Sequence, residues 1–258
     1  MSRFVGKAAV VLGGSGGIGS AVARGFVREG GSVVVAARDE ARLSETVADL
    51  VKIAGRDDAV FGLRADASSA SNLEALASFA VARLGRIDGW VHAVGSIFLK
   101  PVCATSEEDF ERQLSINLTS AFRSLKAALN PMRKARGGSI VLFGSAAGTL
   151  GLPNHAAIAA AKAGVVGMAK AAAMDLVRYG VRVNVVAPGL VRTPMSAAIT
   201  NNKASLDASV AMHPTGRISE SEDVAAAVLY LLSDGAANVT GAVLPVDGGL
   251  SAGRTSGA

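Results

Sequence analysis

Short, nearly continuous apolar runs alternate along the chain with longer stretches in which apolar residues recur every three to four positions. The runs are Ala8–Leu12, Ser32–Ala37, Ala59–Leu63, Gly89–Ala93, Ser139–Phe143, Arg182–Ala187 and Ala242–Val246. Several are rich in valine, as strands of a parallel sheet are when both faces are covered. Between them, the pattern predicts helices over Gly19–Glu29, Glu40–Ala54, Ser69–Leu84, Glu107–Arg133, His155–Tyr179 and Ser221–Ser233. This alternation predicts an α/β fold: a single domain over 1–250 with a doubly wound parallel sheet of about seven strands and helices on both faces. The long irregular part at about 192–217 is expected to be a lid or binding loop over the substrate. The small, polar, glycine-rich tail 251–258 is expected to fray.

Composition narrows the class. A chain of 258 residues that is 50% hydrophobic can bury a substantial core, which excludes disorder. Its one cysteine, Cys103, excludes an internal disulfide. Three histidines and no clustered carboxylates argue against a metal enzyme. The net charge of +5 is scattered, and the densest basic run, Arg133-Lys134-Ala135-Arg136, has no interleaved aromatics. It reads as a solvated helix end, so no nucleic-acid partner is expected. A modest basic balance suits an anionic cofactor or substrate. No secretory signal and no uncharged apolar stretch of membrane length is visible, so a cytoplasmic location without a membrane span is the expectation.

The first strand runs into Gly13-Gly14-Ser15-Gly16-Gly17-Ile18-Gly19 and then a helix. Glycines let a backbone turn sharply and approach a pyrophosphate, and a helix start adds free N–H groups and a positive dipole end. In this strand–turn–helix setting the motif points to a Rossmann-like dinucleotide site. The second strand ends Ala37-Arg38-Asp39. An acid at that tip would suit a ribose 2′-hydroxyl, and a cation a 2′-phosphate. Arg38 therefore favours NADP(H). Asp39 keeps NAD(H) possible, although it reads better as a helix N-cap. The third strand ends Ala65-Asp66-Ala67, where Asp66 is either an acceptor for an adenine amino group or a helix cap.

Together these residues resemble the short-chain dehydrogenase/reductase (SDR) family, from Lys7 to about Gly249. Gly13-x-x-x-Gly17-Ile18-Gly19 looks like the family's cofactor turn, with Leu12 where threonine is usual. Asp66 matches the adenine-contacting aspartate, Asn117 the family's asparagine, Ser145 the catalytic serine and Lys162 the lysine of Tyr-x-x-x-Lys. Gly95 is what remains of Asn-Asn-Ala-Gly, here His92-Ala93-Val94-Gly95. Pro188, Gly189 and Thr193 match the segment that embraces the nicotinamide, and Val246-Asp247-Gly248-Gly249 the closing motif. The resemblance implies an oxidoreductase that moves a hydride between nicotinamide and a small-molecule carbonyl or alcohol. Lys162 would position the ribose, and Asn117 would support Lys162 through a water. Homotetramers or dimers, joined through helices Glu107–Arg133 and His155–Tyr179, are also implied.

One departure bears on the chemistry. Four residues before Lys162 stands Ile158, where the family has its catalytic tyrosine. The register is fixed because Ser145 and Ile158 are thirteen apart, the family's usual separation. Isoleucine cannot transfer a proton, and general acid–base catalysis contributes on the order of 10² to 10⁴-fold. His155, three residues earlier, is the candidate replacement if the helix has already begun, since imidazole gives or takes a proton near neutral pH. The other reading of His155 is a solvent-facing residue at the helix start. His92 reads as structural, and neither His213 nor Cys103 is given a role. Phe98, Leu99, Leu150, Leu152 and Met195 are candidates for an apolar pocket. Three functions follow: an NADP(H)-dependent carbonyl/alcohol oxidoreductase using His155 or water, a catalytically silent NADP(H)-binding protein, or a reductase of an activated carbon–carbon double bond.

Overall fold

The structure is a computed structural model that describes residues 2–253. Seven parallel strands form one sheet in the order β3-β2-β1-β4-β5-β6-β7. They are β1 (Ala8–Leu12), β2 (Ser32–Ala37), β3 (Val60–Arg64), β4 (Gly89–His92), β5 (Gly138–Phe143), β6 (Val181–Pro188) and β7 (Val243–Val246). The helices are α1 (Gly17–Arg28), α2 (Glu40–Ala54), α3 (Ala70–Leu84), α4 (Glu107–Leu114), α5 (Ser120–Ala135), α6 (Ala156–Leu176), α7 (Ala197–Thr200), α8 (Lys203–Met212) and α9 (Ser221–Leu232).

Strand alternation sends successive side chains to opposite faces, so the valine runs feed two cores. Val11, Val33, Val35 and Val141 pack with α1, α2 and α9. Val10, Val34, Trp90 and Ile140 pack with α3, α5 and α6. Each such side chain contributes about 1.5–3 kcal/mol when buried. Trp90 also donates its indole N–H to Ser124 Oγ at 2.6 Å. Strand order reverses between β1 and β4, and a crevice at the carboxyl ends of such strands is where open α/β sheets bind ligands.

The expected fold stands, with local corrections. β3 lies one residue later than predicted, which makes Arg64 its last residue. The predicted helix Glu107–Arg133 is two helices joined by a π-helical turn, Ser115–Thr119. The helix predicted from His155 begins at Ala156 and gives way to a 3₁₀ turn at Val177–Tyr179. The stretch 192–217 is not irregular: it holds α7 and α8 behind a 3₁₀ turn, Pro194–Ser196. Local caps build this region, with a reciprocal Thr193–Ser196 capping box and Asn202 accepting from Ser205 N–H. These helices are too short for apolar periodicity to mark them.

The tail is tied down at its start, because Ser251 N–H donates to Asp247 Oδ2 at 3.0 Å. Residues 254–258 of that predicted tail lie outside the described residues. The stretch Ala156–Tyr179 is long and apolar enough, by length and composition, to cross a membrane. In the fold it is a core helix, with Val165, Ala169 and Ala173 buried against the sheet.

Candidate active site

The glycine turn closes on itself by backbone geometry. Gly13 has φ +82°, and its N–H and that of Gly14 both donate to Ala36 O. A Cβ at Gly13 would lie 2.5 Å from Ala93 O, one at Gly17 2.7 Å from Thr193 Cγ2, and one at Gly19 2.3 Å from Gly13 O. Only glycine fits these positions. The first helical hydrogen bond of α1 runs from Ser20 N–H to Gly16 O. The N–H groups of Gly17, Ile18 and Gly19 are therefore available at the positive end of the helix. Ser15 is partly exposed on the turn and Ile18 lines the cleft beside it. This cradle fits the pyrophosphate of a dinucleotide.

At the adenosine end the structure adds a residue that sequence reasoning missed. Arg64 pairs in register with Ala37 and donates through Nε to Arg38 O at 3.2 Å. Both arginines are exposed, so two guanidinium groups stand at the strand tips where the sequence showed one. The missed signal was the one-residue shift of β3. Asp39 is the N-cap of α2, accepting from Arg42 N–H at 3.1 Å. Asp66 accepts Ser68 N–H through Oδ1, and that bond, with the Arg38 charge adding to it, holds its carboxyl below the usual range. Its other oxygen stays open beside Ala67, whose own side chain is buried in the core.

At the other end, β4 to β6 and α6 surround a cleft of about 410 Å³. Lys162 is buried within α6 and donates to Phe143 O at 3.1 Å. Burial pushes its ammonium down to about 8. Gly95 lies between Lys162 and Asn117, for a Cβ there would stand 3.4 Å from Nζ and 3.0 Å from Asn117 Oδ1. The Asn117 side chain itself is spent locally. It accepts Ser96 N–H and donates to Ser96 Oγ and Gln113 O, which locks the segment after β4 against the π-helical turn.

Ser145 caps a 3₁₀ turn by accepting Ala147 N–H at 3.2 Å, which leaves its hydroxyl hydrogen for the cleft. Ile158 is buried against the same cleft. His155 is the N-cap of α6 and lines the cleft with Ile158. Its Nδ1 lies 2.6 Å from Pro153 O. A carbonyl only accepts, so Nδ1 carries a proton, and a neutral ring in this position has its lone pair on Nε2. The two tyrosines lie elsewhere: Tyr179 sits beneath Arg133 and Arg178, and Tyr230 is exposed on α9.

His213 has a role the sequence did not show. It is buried at the end of α8, donates through Nδ1 to Ser209 O at 2.7 Å and accepts Leu190 N–H at Nε2. Its ring lies against Gly189, where a Cβ would be 2.5 Å from Nε2. The 192–217 segment is thereby pinned to the Pro188–Gly189 turn. His92 is structural as expected, with Nε2 hydrogen-bonded to Ser120 Oγ at 3.1 Å. Burial, with the Lys162 charge adding to it, pushes its imidazole down to about 3. Phe98, Leu99, Leu152 and Met195 line the cleft, and Leu150 does not.

A parallel sheet with this glycine turn, serine and buried lysine defines a nucleotide-dependent oxidoreductase site. The chain matches the family described as enoyl-(acyl carrier protein) reductase over residues 13–251. It is 38% identical over 257 residues to 2,5-dichloro-2,5-cyclohexadiene-1,4-diol dehydrogenase of Sphingobium indicum, covering 98% of this chain and all of the relative. It is 37% identical over 256 residues to trans-4-hydroxycyclohexanecarboxylate dehydrogenase of Sinomonas cyclohexanicum, covering 98% of this chain and 95% of the relative. A solved structure of an actinorhodin polyketide ketoreductase variant with NADPH superposes with TM-score 0.89 at 35% identity, covering 95% of this chain and 97% of that one. The chain belongs to the short-chain dehydrogenase/reductase family and is an oxidoreductase of that family.

Proposed function

We propose that the protein is an NADP(H)-dependent oxidoreductase acting between an alcohol and a carbonyl, with His155 moving the proton. Gly13, Ser15, Gly17, Ile18 and Gly19 would hold the pyrophosphate, Asp66 and Ala67 the adenine. Arg38 and Arg64 would hold a 2′-phosphate, a preference in keeping with the NADPH in the related ketoreductase structure. Gly95, Pro188, Gly189 and Thr193 would enclose the nicotinamide, and Lys162 its ribose. When bound, the dinucleotide supplies or takes the hydride.

The observation that carries the proposal is the Nδ1–Pro153 bond, which leaves Nε2 of His155 to act as the base at a cleft lined by Ile158, the residue that the family resemblance sets at the tyrosine position. Nε2 accepts the hydroxyl proton during oxidation, and the Pro153 carbonyl stabilises the imidazolium that forms. In reduction that imidazolium gives the proton back. Ser145 donates to the substrate oxygen throughout. Replacing His155 with Phe is expected to cut kcat at least tenfold while NADPH affinity, measured by the cofactor's own fluorescence, stays within twofold. Unchanged kcat would transfer the proton role to water.

The buried apolar side chain of Ile158 favours a second reading, reduction of an activated carbon–carbon double bond. A saturated ketone as product from an enone would select it over an alcohol. NADPH binding with turnover of neither substrate would instead leave the silent dinucleotide-binding protein. Self-association belongs to the same reading, because Phe122 of α5 and Met174 of α6 are exposed on the helices that the family resemblance assigns to the interface.

A further inference from the structure

We infer that this cleft selects an uncharged, apolar alcohol or ketone and discriminates against a carboxylate-bearing one. The inference rests on the alcohol–carbonyl reading of the site. Two independent features carry it.

The first is the charge inventory. The only Lys, Arg, Asp or Glu among the lining residues is Lys162. Its ammonium sits at the floor of the cleft, hydrogen-bonded to Phe143 O. Of the two lining histidines, His213 has both ring nitrogens committed to Ser209 O and Leu190 N–H. His155 is committed at Nδ1 and offers only Nε2, the atom that the reacting hydroxyl or carbonyl oxygen takes in the alcohol–carbonyl reading. A substrate carboxylate carried away from the reacting oxygen would therefore leave water with no lysine or arginine beyond Lys162 to receive it, and an unpaired buried charge is strongly disfavoured.

The second is the mouth. Ile97, Leu99, Met195 and Met212 are large apolar side chains left 42%, 46%, 54% and 48% exposed, and all four line this cleft. They come from two separate segments, the loop after β4 and the α7–α8 region, which converge on one opening. Exposed apolar side chains gathered around a concavity mark a binding surface for apolar matter. The relatives divide on this very point, since one is named for a chlorinated cyclohexadienediol and another for a cyclohexanecarboxylate. The cleft sides with the first.

The test is a matched pair of probes, trans-4-hydroxycyclohexanecarboxylate and its methyl ester. Each is titrated calorimetrically into protein saturated with NADPH, a complex in which an alcohol binds without reacting. The ester is expected to bind at least tenfold more tightly. A cation at the mouth, Met195→Lys or, in a separate variant, Met212→Lys, is expected to narrow that ratio at least fivefold. A carboxylate that binds as tightly as the ester overturns the inference, and so does binding of neither probe. Turnover with NADP⁺ is read separately. An ester that binds in the expected ratio and is not oxidised refutes the catalytic reading and leaves apolar selection standing. Preferential oxidation of the carboxylate refutes the selection and leaves the catalytic reading standing.

Discussion

At the dinucleotide end of the cleft, the turn between β1 and α1 is defined by main-chain atoms. Carbonyl oxygens stand within 2.5 Å of where side chains would begin at Gly13 and Gly19, and the groups offered to a ligand are backbone N–H groups. At the substrate end, the contacts come from side chains on separate segments: Ser145 after β5, His155 and Lys162 at α6, His213 at the end of α8. The first end tolerates almost no substitution. The second presents side chains, Ile158 among them, that could be exchanged without disturbing the strand and helix that carry them. Binding a dinucleotide is thus a property of the chain's path, and choosing a reaction is a property of a few replaceable side chains.

The largest effect should come from breaking the backbone end. Gly19→Val places a side chain into Gly13 and is expected to cost about 3 kcal/mol of stability. NADPH affinity should fall at least a hundredfold. Calorimetry and cofactor fluorescence would read both, and an unaffected Kd would show that the turn is not where the dinucleotide sits.

Lys162→Met comes next, and its two effects oppose each other. Turnover should fall at least a hundredfold, because no other cation in the cleft can hold the ribose. Stability should move the other way. The unfolded chain holds the lysine proton up to its ordinary 10.5 and the folded chain only to about 8. Between those values the unfolded state binds more protons, so wild-type stability rises with pH across that window. Below pH 8 the burial penalty is fully present, roughly 3 kcal/mol for a displacement of that size. The variant should therefore resist urea better than wild type at pH 7 and show a flatter stability profile from pH 8 to 10. A variant less stable at pH 7 would contradict the burial argument.

Arg64→Ala should have the smallest effect. It is expected to weaken NADPH binding about tenfold and leave NADH binding within twofold. Equal losses for both cofactors would take Arg64 out of the discrimination between them.

What could be read from the sequence follows the same division. The valine runs, the glycine turn and the spacing from Ser145 to Lys162 are local patterns, and each lay where expected. Arg64 was missed because its position depends on strand register, which a run of alternating residues fixes only to within a residue. His213 was missed because its partners, Ser209 O and Leu190 N–H, are brought together by a fold of the chain and not by spacing. The helices within 192–217 rest on caps at Thr193 and Asn202, not on an apolar stripe. His155 was legible as a residue, but its tautomer was not, since that depends on the bend that brings Pro153 O back to Nδ1.

The methyl group of Thr193 rests on the glycine turn, so close to Gly17 that no side chain could come between them. One contact therefore joins the glycine turn to the start of the segment that carries α7 and α8. Thermodynamic linkage makes such a contact reciprocal: whatever factor the dinucleotide adds to substrate affinity by settling Thr193, the substrate adds to dinucleotide affinity. The factor can be read from either side: the gain in substrate affinity on adding the nucleotide must equal the gain in nucleotide affinity on adding the substrate.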